Sequence, residues 1–415
     1  MREKSGNVRF GCWVPPMPDG NYGVPGSFIT PERYREVKEM GLDFVIGHVE
    51  RGPDSPDVHR ALACAAEAGL RYILRWEDMI AYKDESPETL KKALAGVIEH
   101  EACMGVLIFD EPNAKNFPDM GKVADLYRKV SDKYFYVNLF PFDAGEELLG
   151  TKTYREHLEL YDKYLKNDMV SMDIYPYRRK KGGYYVSACF LRNLEEIQNL
   201  CVEKKMEHWQ FIQGSMAYGI SKAPDYFDMR QQIYVSLCYG ATVLQYYCYC
   251  TPNLPALIGK KRWTSMLDYY GKRTLRYEAA KRLNAEVHAM GPEFMRFAED
   301  WQGVLPVRGT ESEQENEAFG MLQSPLSALP DGVKVRASQD AIVGVFGREG
   351  QRAYLAVNVT VPAYRIGNEL SLTFPNAAEA VVYRAGKRKV APLSEGRIEL
   401  RLGAGEGVFV IPQTD

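Results

Sequence analysis

Two carboxylates stand side by side where an apolar run ends: Leu107-Ile108-Phe109 is followed by Asp110-Glu111-Pro112-Asn113. A hydrophobic core has no use for them. Enclosure and a neighbouring like charge raise the proton affinity of a carboxyl, which is what a general acid needs near neutral pH. Glu111 is therefore the candidate proton donor, and Asp110 the neighbour that tunes it or positions a ligand. A third acid closes another apolar stretch in Ser171-Met172-Asp173-Ile174-Tyr175-Pro176-Tyr177. On the period of two of a strand, Ser171, Asp173 and Tyr175 share a face. Asp173 is the candidate base, or the acid that orients a ligand.

Rings and amides recur at comparable places. Trp13, His48, Asn138, Tyr175, Tyr177, Trp209, Gln213, Gln245 and Tyr247 are candidate substrate-binding residues. Aromatic rings stack on the flat face of a sugar ring, and amides both donate to and accept from its hydroxyls. The 27 tyrosines of the chain fit that demand, since each offers an apolar ring with a polar tip.

These residues need a scaffold that brings distant segments to one mouth. Short β-branched or aromatic runs at 7–14, 42–49, 70–76, 103–110, 134–140, 168–175, 206–213 and 241–250 alternate with helical-period segments. Thr30-Pro31-Glu32 and Ser86-Pro87-Glu88 are helix starts, Gly41 and Gly240 are stops, and a last helix is expected at 272–289. Eight strands, each with a helix, predict a (β/α)8 TIM barrel over 1–300, whose chemistry sits at the C-terminal ends of the strands. All three acids fall there. Gly, Pro, Ser and Glu dominate 302–335, so 301–338 is expected to be a linker or irregular segment. Strand-like pieces divided by turns from about 340 predict a small C-terminal antiparallel β-sandwich over 339–415.

Composition narrows the function classes. With 52 Lys and Arg against 55 Asp and Glu, the net charge of −3 offers nothing to a nucleic-acid backbone or an anionic membrane surface. No run of apolar residues is long enough to span a bilayer, and the N-terminal MREKSGNVRFGCW lacks the apolar centre of a signal peptide. The expectation is a cytoplasmic protein as written, periplasmic or secreted if a signal peptide was removed. The eight cysteines form no CxxC pair and no Cys/His cluster at zinc spacing, and they read as small buried hydrophobes. Neither a metal nor a cofactor is expected. Exposed barrel helices make a homo-oligomer an open expectation.

A barrel whose fourth strand ends in Glu-Pro, followed by a β-sandwich, resembles the clan A glycoside hydrolases, which include many β-galactosidases. The segments IFDEPN, SMDIYPY, FIQG and QYYCYCTP are similar to uncharacterised bacterial glycosidase-like proteins with a DEP motif on strand four. The resemblance implies a glycoside hydrolase acting on a carbohydrate, with Glu111 as the acid. Clan A places Asn-Glu-Pro on strand four and a nucleophilic glutamate at the end of strand seven. This chain has Asp110 and Gln213 at those positions. An amide cannot form the glycosyl ester of double displacement, so three routes follow. An inverting pair of Glu111 and Asp173 should stand about 6.5–9.5 Å apart. Alternatively, Asp110-Glu111 resembles the Asp-Glu pair of substrate-assisted N-acetylhexosaminidases. In the third route Asp173, Asp143 or Glu77 is a nucleophile. The alternative outside enzymology is a barrel that binds glycans without turning them over.

Overall fold

The computed structural model describes residues 5–18, 26–48, 50–216, 222–251, 264–313 and 315–413. Eight parallel strands close on themselves: β1 (Arg9–Trp13), β2 (Phe44–Ile46), β3 (Arg71–Arg75), β4 (Cys103–Asp110), β5 (Tyr134–Leu139), β6 (Met169–Met172), β9 (Glu207–Gln213) and β10 (Val243–Tyr247). Between β6 and β9 the chain inserts an antiparallel hairpin, β7 (Tyr177–Lys180) and β8 (Gly183–Val186). The barrel closes by pairing β1 with β10, Arg9 opposite Val243. Each barrel strand lies inside its predicted window, and Val49, the last residue of the second window, is outside the described residues.

Helices cover the outside: α1 (Pro31–Glu39), α2 (Pro56–Glu67), α3 (Pro87–Ala93), α4 (Phe117–Val130), the short α5 (Glu146–Leu149), α6 (Tyr154–Leu165), α7 (Cys189–Lys204), α8 (Tyr226–Cys238) and α9 (Leu275–Ala298). Their starts are written locally. The side chains of Thr30 and Ser86 accept from backbone N–H groups of the first turn, with proline next in line, and Thr153 with Glu156 forms a reciprocal capping box. The last helix runs past its predicted end at 289, carrying Pro292 in its interior.

The barrel interior is filled. Gly11 lets the Phe44 ring lie against β1, since a methyl group there would sit 2.3 Å from the ring. Trp209 packs beside Phe44, Tyr134 and Tyr136 at centroid distances of 5.3, 4.9 and 5.6 Å.

The C-terminal part is an antiparallel β-sandwich. Its strands are β11 (Asp300–Val307), β12 (Lys334–Ala337), β13 (Ala341–Arg348), β14 (Gln351–Asn358), β15 (Asn368–Thr373), β16 (Glu379–Arg384), β17 (Lys387–Pro392), β18 (Arg397–Leu402) and β19 (Gly407–Gln413). One sheet has the order β11-β13-β14-β19-β16-β17, the other β12-β15-β18. The stretch 301–338, expected to be irregular, therefore supplies strands to both sheets. Val304, Leu305 and Val307 give β11 enough apolar surface to pair along β13 despite the flanking Gly and Pro. The sandwich seats on α9 through Phe294, Phe297, Phe346 and Phe409, and on α8 through two hydrogen bonds. Trp301 Nε1 donates to the Cys238 carbonyl at 3.0 Å, and Arg230 Nε to that of Ala404 at 3.1 Å.

All eight cysteines are free, seven of them buried and Cys189 partly exposed. Among the described residues no helix is long and apolar enough to cross a membrane.

Candidate active site

Strand β4 delivers Asp110 and Glu111 to the C-terminal mouth of the barrel. Glu111 adopts a left-handed φ of 53°, and its N–H donates to the Asn138 carbonyl on β5 at 2.8 Å. That conformation costs a non-glycine residue on the order of 1–2 kcal/mol, and the β5 hydrogen bond holds it. Val14 stands at the end of β1 with the same φ of 53°, an outlier for a β-branched side chain. Both residues line one pocket of about 340 Å³, with Trp13, His48, Arg75, Asp110, Asn138, Asp173, Tyr175, Arg178, Phe211 and Tyr247 among its other walls.

Asp173 leaves the end of β6 buried. It accepts from Asn138 Nδ2 at 2.7 Å and from the Tyr175 hydroxyl, and it shares a hydrogen bond with Glu111. Asn138 Nδ2 also reaches Asp110 Oδ1 at 3.3 Å. Two carboxyl groups thus converge on one amide. Tyr175 packs against Tyr247 with ring centroids 5.1 Å apart.

Two arginines, Arg75 and Arg178, also line the pocket. Arg75 lies over the Trp13 ring at 5.2 Å and pairs with Glu77 at 2.6 Å. Trp13 Nε1 and an Arg75 nitrogen both approach His48 Nδ1, at 3.2 and 3.0 Å. That ring nitrogen must accept, so His48 is neutral. Burial, reinforced by Arg75 and Arg51, lowers its pKa to about 3. Arg178, from the start of the hairpin, pairs with Asp143 at 3.2 Å.

Burial, followed by the charges of Asp173 and Asp110, pushes the Glu111 carboxyl far above the ordinary carboxylate range. Asp173 is raised by burial and by Asp110, and less so because Asn138 and Tyr175 donate to it. Asp110 is also raised by burial, with Arg75 and Asn138 opposing. Burial and like charge thus favour the protonated form of Glu111, while hydrogen-bond donors and Arg75 oppose the rise at Asp173 and Asp110.

Of the residues expected to bind a ligand, the pocket gathers Trp13, His48, Asn138, Tyr175 and Tyr247. Four others lie elsewhere. Trp209 is fully buried in the barrel interior, its indole N–H donating to Glu207 at 2.9 Å. Gln245 is buried beside Tyr136 and Ser171, at 3.0 and 3.1 Å. Gln213 accepts from the Tyr177 N–H at 3.2 Å and donates to the Lys222 carbonyl at 2.6 Å. The Tyr177 hydroxyl donates to the Asp228 carbonyl at 2.7 Å. Strand alternation puts such side chains on an inner face without saying how deep along the barrel they sit. The expected separation of an inverting pair is also not found: Glu111 and Asp173 are in hydrogen-bond contact.

Arg178 and Phe211 belong to the pocket wall though the sequence did not single them out as ligand contacts. Phe211 shares strand parity with Trp209, a usable signal, whereas Arg178 sits in a hairpin that reads as a basic loop. Among the described residues no group of three or more His, Cys, Asp or Glu side chains is arranged to hold a metal ion.

No protein-family model matches the sequence, and no curated protein matches it. Solved structures do. A family 5 glycoside hydrolase from Bacteroides vulgatus ATCC 8482 superposes with a TM-score of 0.57 at 11% identity, covering 98% of this chain and 88% of that one. A second solved glycoside hydrolase gives 0.56 at 12%, covering 98% and 92%. A family 39 glycoside hydrolase from Bacteroides cellulosilyticus WH2 gives 0.50 at 13%, covering 98% and 81%. At such identities the likeness is one of fold: this chain shares the barrel-plus-sandwich architecture of those proteins across nearly its whole length.

Proposed function

We propose that the chain is a glycoside hydrolase with Glu111 as its general acid. The observation that carries this reading is the placement of Glu111 at the barrel mouth beside Asp173 and Asp110, inside a pocket of about 340 Å³ walled by Trp13, Tyr175 and Tyr247, an enclosure that raises its proton affinity. A carboxyl that keeps its proton at neutral pH can deliver it to a glycosidic oxygen as the bond to the anomeric carbon breaks. The rings suit the faces of a sugar, and the acids suit its hydroxyls. The fold shared with solved glycoside hydrolases agrees with the assignment.

The contact between Glu111 and Asp173 bears on how the anomeric carbon is attacked. An inverting enzyme places a water between carboxyls about 6.5–9.5 Å apart. With Asp173 as that base, the sugar must enter between the two groups and part them. The same contact favours a second reading, in which the substrate's own 2-acetamido oxygen attacks. Asp173 or Asp110 then holds the acetamido N–H and Glu111 remains the acid. Gln213 takes part in neither route.

The test is hydrolysis of a panel of nitrophenyl glycosides and oligosaccharides, N-acetyl sugars included, by the wild type and Glu111→Gln, with product anomers followed by proton NMR. The expected loss in Glu111→Gln is about 10²–10⁴-fold in kcat on substrates whose leaving group needs protonation. Inversion would assign Asp173 as base, and retention confined to N-acetyl sugars would assign the acetamido route. Glycan binding with no turnover of any sugar would replace the hydrolase by a binding barrel.

A further inference from the structure

Behind the carboxyl cluster lies a chain of buried side chains that is hydrogen-bonded to the pocket through Asn138. Gln245 Nε2 donates to Ser171 Oγ at 3.1 Å, and Ser171 Oγ donates to Asn138 Oδ1 at 2.9 Å. Tyr136 joins from the same strand as Asn138, its hydroxyl 2.7 Å from Ser171 Oγ and 3.0 Å from Gln245 Oε1. Ser171, Gln245 and Tyr136 are fully buried, and Asn138 is 2% exposed. A buried amide can be placed either way round, and its partners decide which. Here Ser171 occupies the carbonyl oxygen, so the amino group must face the acids.

We propose that Asn138 is a positioning residue that decides where the proton of the carboxyl cluster resides, rather than a substrate ligand. Its two N–H groups point at Asp173 and Asp110, 2.7 and 3.3 Å away. An N–H donor stabilises the charged form of a carboxyl more than the neutral form. Glu111 receives no side-chain donor from Asn138, only its backbone carbonyl through the Glu111 N–H. The proton is thereby excluded from the two aspartates and left on the glutamate, which donates it to Asp173. Among the other groups around the cluster, the charge of Arg75 on β3 also opposes protonation of Asp110, although Arg75 itself is held by Glu77. His48 is neutral, Arg178 is held by Asp143, and Tyr247 faces Tyr175. Tyr175 assists on Asp173 alone. The inference rests on the hydrolase reading only for its catalytic meaning, because where the proton sits can be measured without substrate.

The experiment is infrared titration of the protonated carboxyl bands on the full chain, with ¹³C-carboxyl aspartate to separate Asp from Glu. Glu111→Gln assigns the Glu111 band. In the wild type the proton lost last belongs to Glu111. In Asn138→Leu, of similar size but without the amide, an aspartate band should persist upward by about tenfold in proton concentration, one decade being about 1.4 kcal/mol. Ser171→Ala, which leaves Asn138 in place but unlocks its orientation, should move the same band in the same direction by less. This second variant keeps the test available if Asn138→Leu fails to fold. Aspartate bands unmoved in the folded variants would overturn the proposal. If Asn138→Leu then also raised KM, Asn138 would be a ligand contact. Shifted bands with no glycoside turned over would sink the hydrolase reading and leave the positioning role intact.

Discussion

Glu111 holds its proton because burial penalises the charged form first, and Asp173 and Asp110 repel it second. In the unfolded chain the same carboxyl titrates near its ordinary value of about 4.3. Between that value and the raised folded one, the native state binds a proton that the unfolded state has lost. Its contribution to stability is thus complete below the unfolded value and is lost as pH rises through the folded one. Glu111→Gln removes this titration. The variant should be more stable than the wild type at pH 8, on the order of 1–3 kcal/mol, and close to it at pH 4. Calorimetry at the two pH values would show unequal gains in Tm, and equal gains would refute the account. Activity in the proposed hydrolase should follow a bell. Its alkaline limb belongs to Glu111 and its acid limb to Asp173, both above the ordinary carboxylate range. At this scale the acids were legible in the sequence, because charged residues ending apolar runs have no packing explanation. Tyr177, Trp209, Gln213 and Gln245 were not, since residue type and strand parity are the same for a pocket wall and for a filled interior.

The end of β9 is tied into the hairpin. Gln213 accepts from the Tyr177 N–H and donates to the Lys222 carbonyl, and its backbone N–H donates to Gln232 on α8 at 2.7 Å. Introducing Gln213→Glu to recreate a nucleophile should therefore fail. The new carboxylate would set an oxygen against the Lys222 carbonyl, costing about 1–3 kcal/mol, with the product anomer unchanged. A switch to retention on sugars without an acetamido group would overturn this. Strand windows in the barrel were legible because buried parallel strands are continuous apolar runs. β17, with the sequence Lys-Arg-Lys-Val-Ala-Pro, carries no strand signal of its own, because it is an edge strand whose charges leave no hydrophobic pattern. β12 is short, half exposed and flanked by turns, so it too lacked a signal.

On the scale of the molecule, α8 and α9 serve two partners, closing the barrel and forming the bed of the sandwich. Phe409 meets Phe294, Phe297, Phe346 and Tyr383 at this seam. Phe409→Ala should cost about 3–5 kcal/mol, and thermal unfolding followed by barrel and sandwich fluorescence should remain one transition. Two separated transitions would mean that the seam does not couple the halves. The existence of two units was legible from the change of pattern after α9. Their seam was not, because apolar residues of a helix facing a second layer look like any others. The eight free thiols finally turn the molecule into its own clock. With no cross-link, unfolding and refolding need neither reductant nor oxidant, and a thiol reagent should modify Cys189 promptly. Cys12, Cys248 and Cys250 in the barrel wall, and Cys238 at the seam, should react only when the layer covering each one opens. Their separate rates would chart which part of the architecture breathes first.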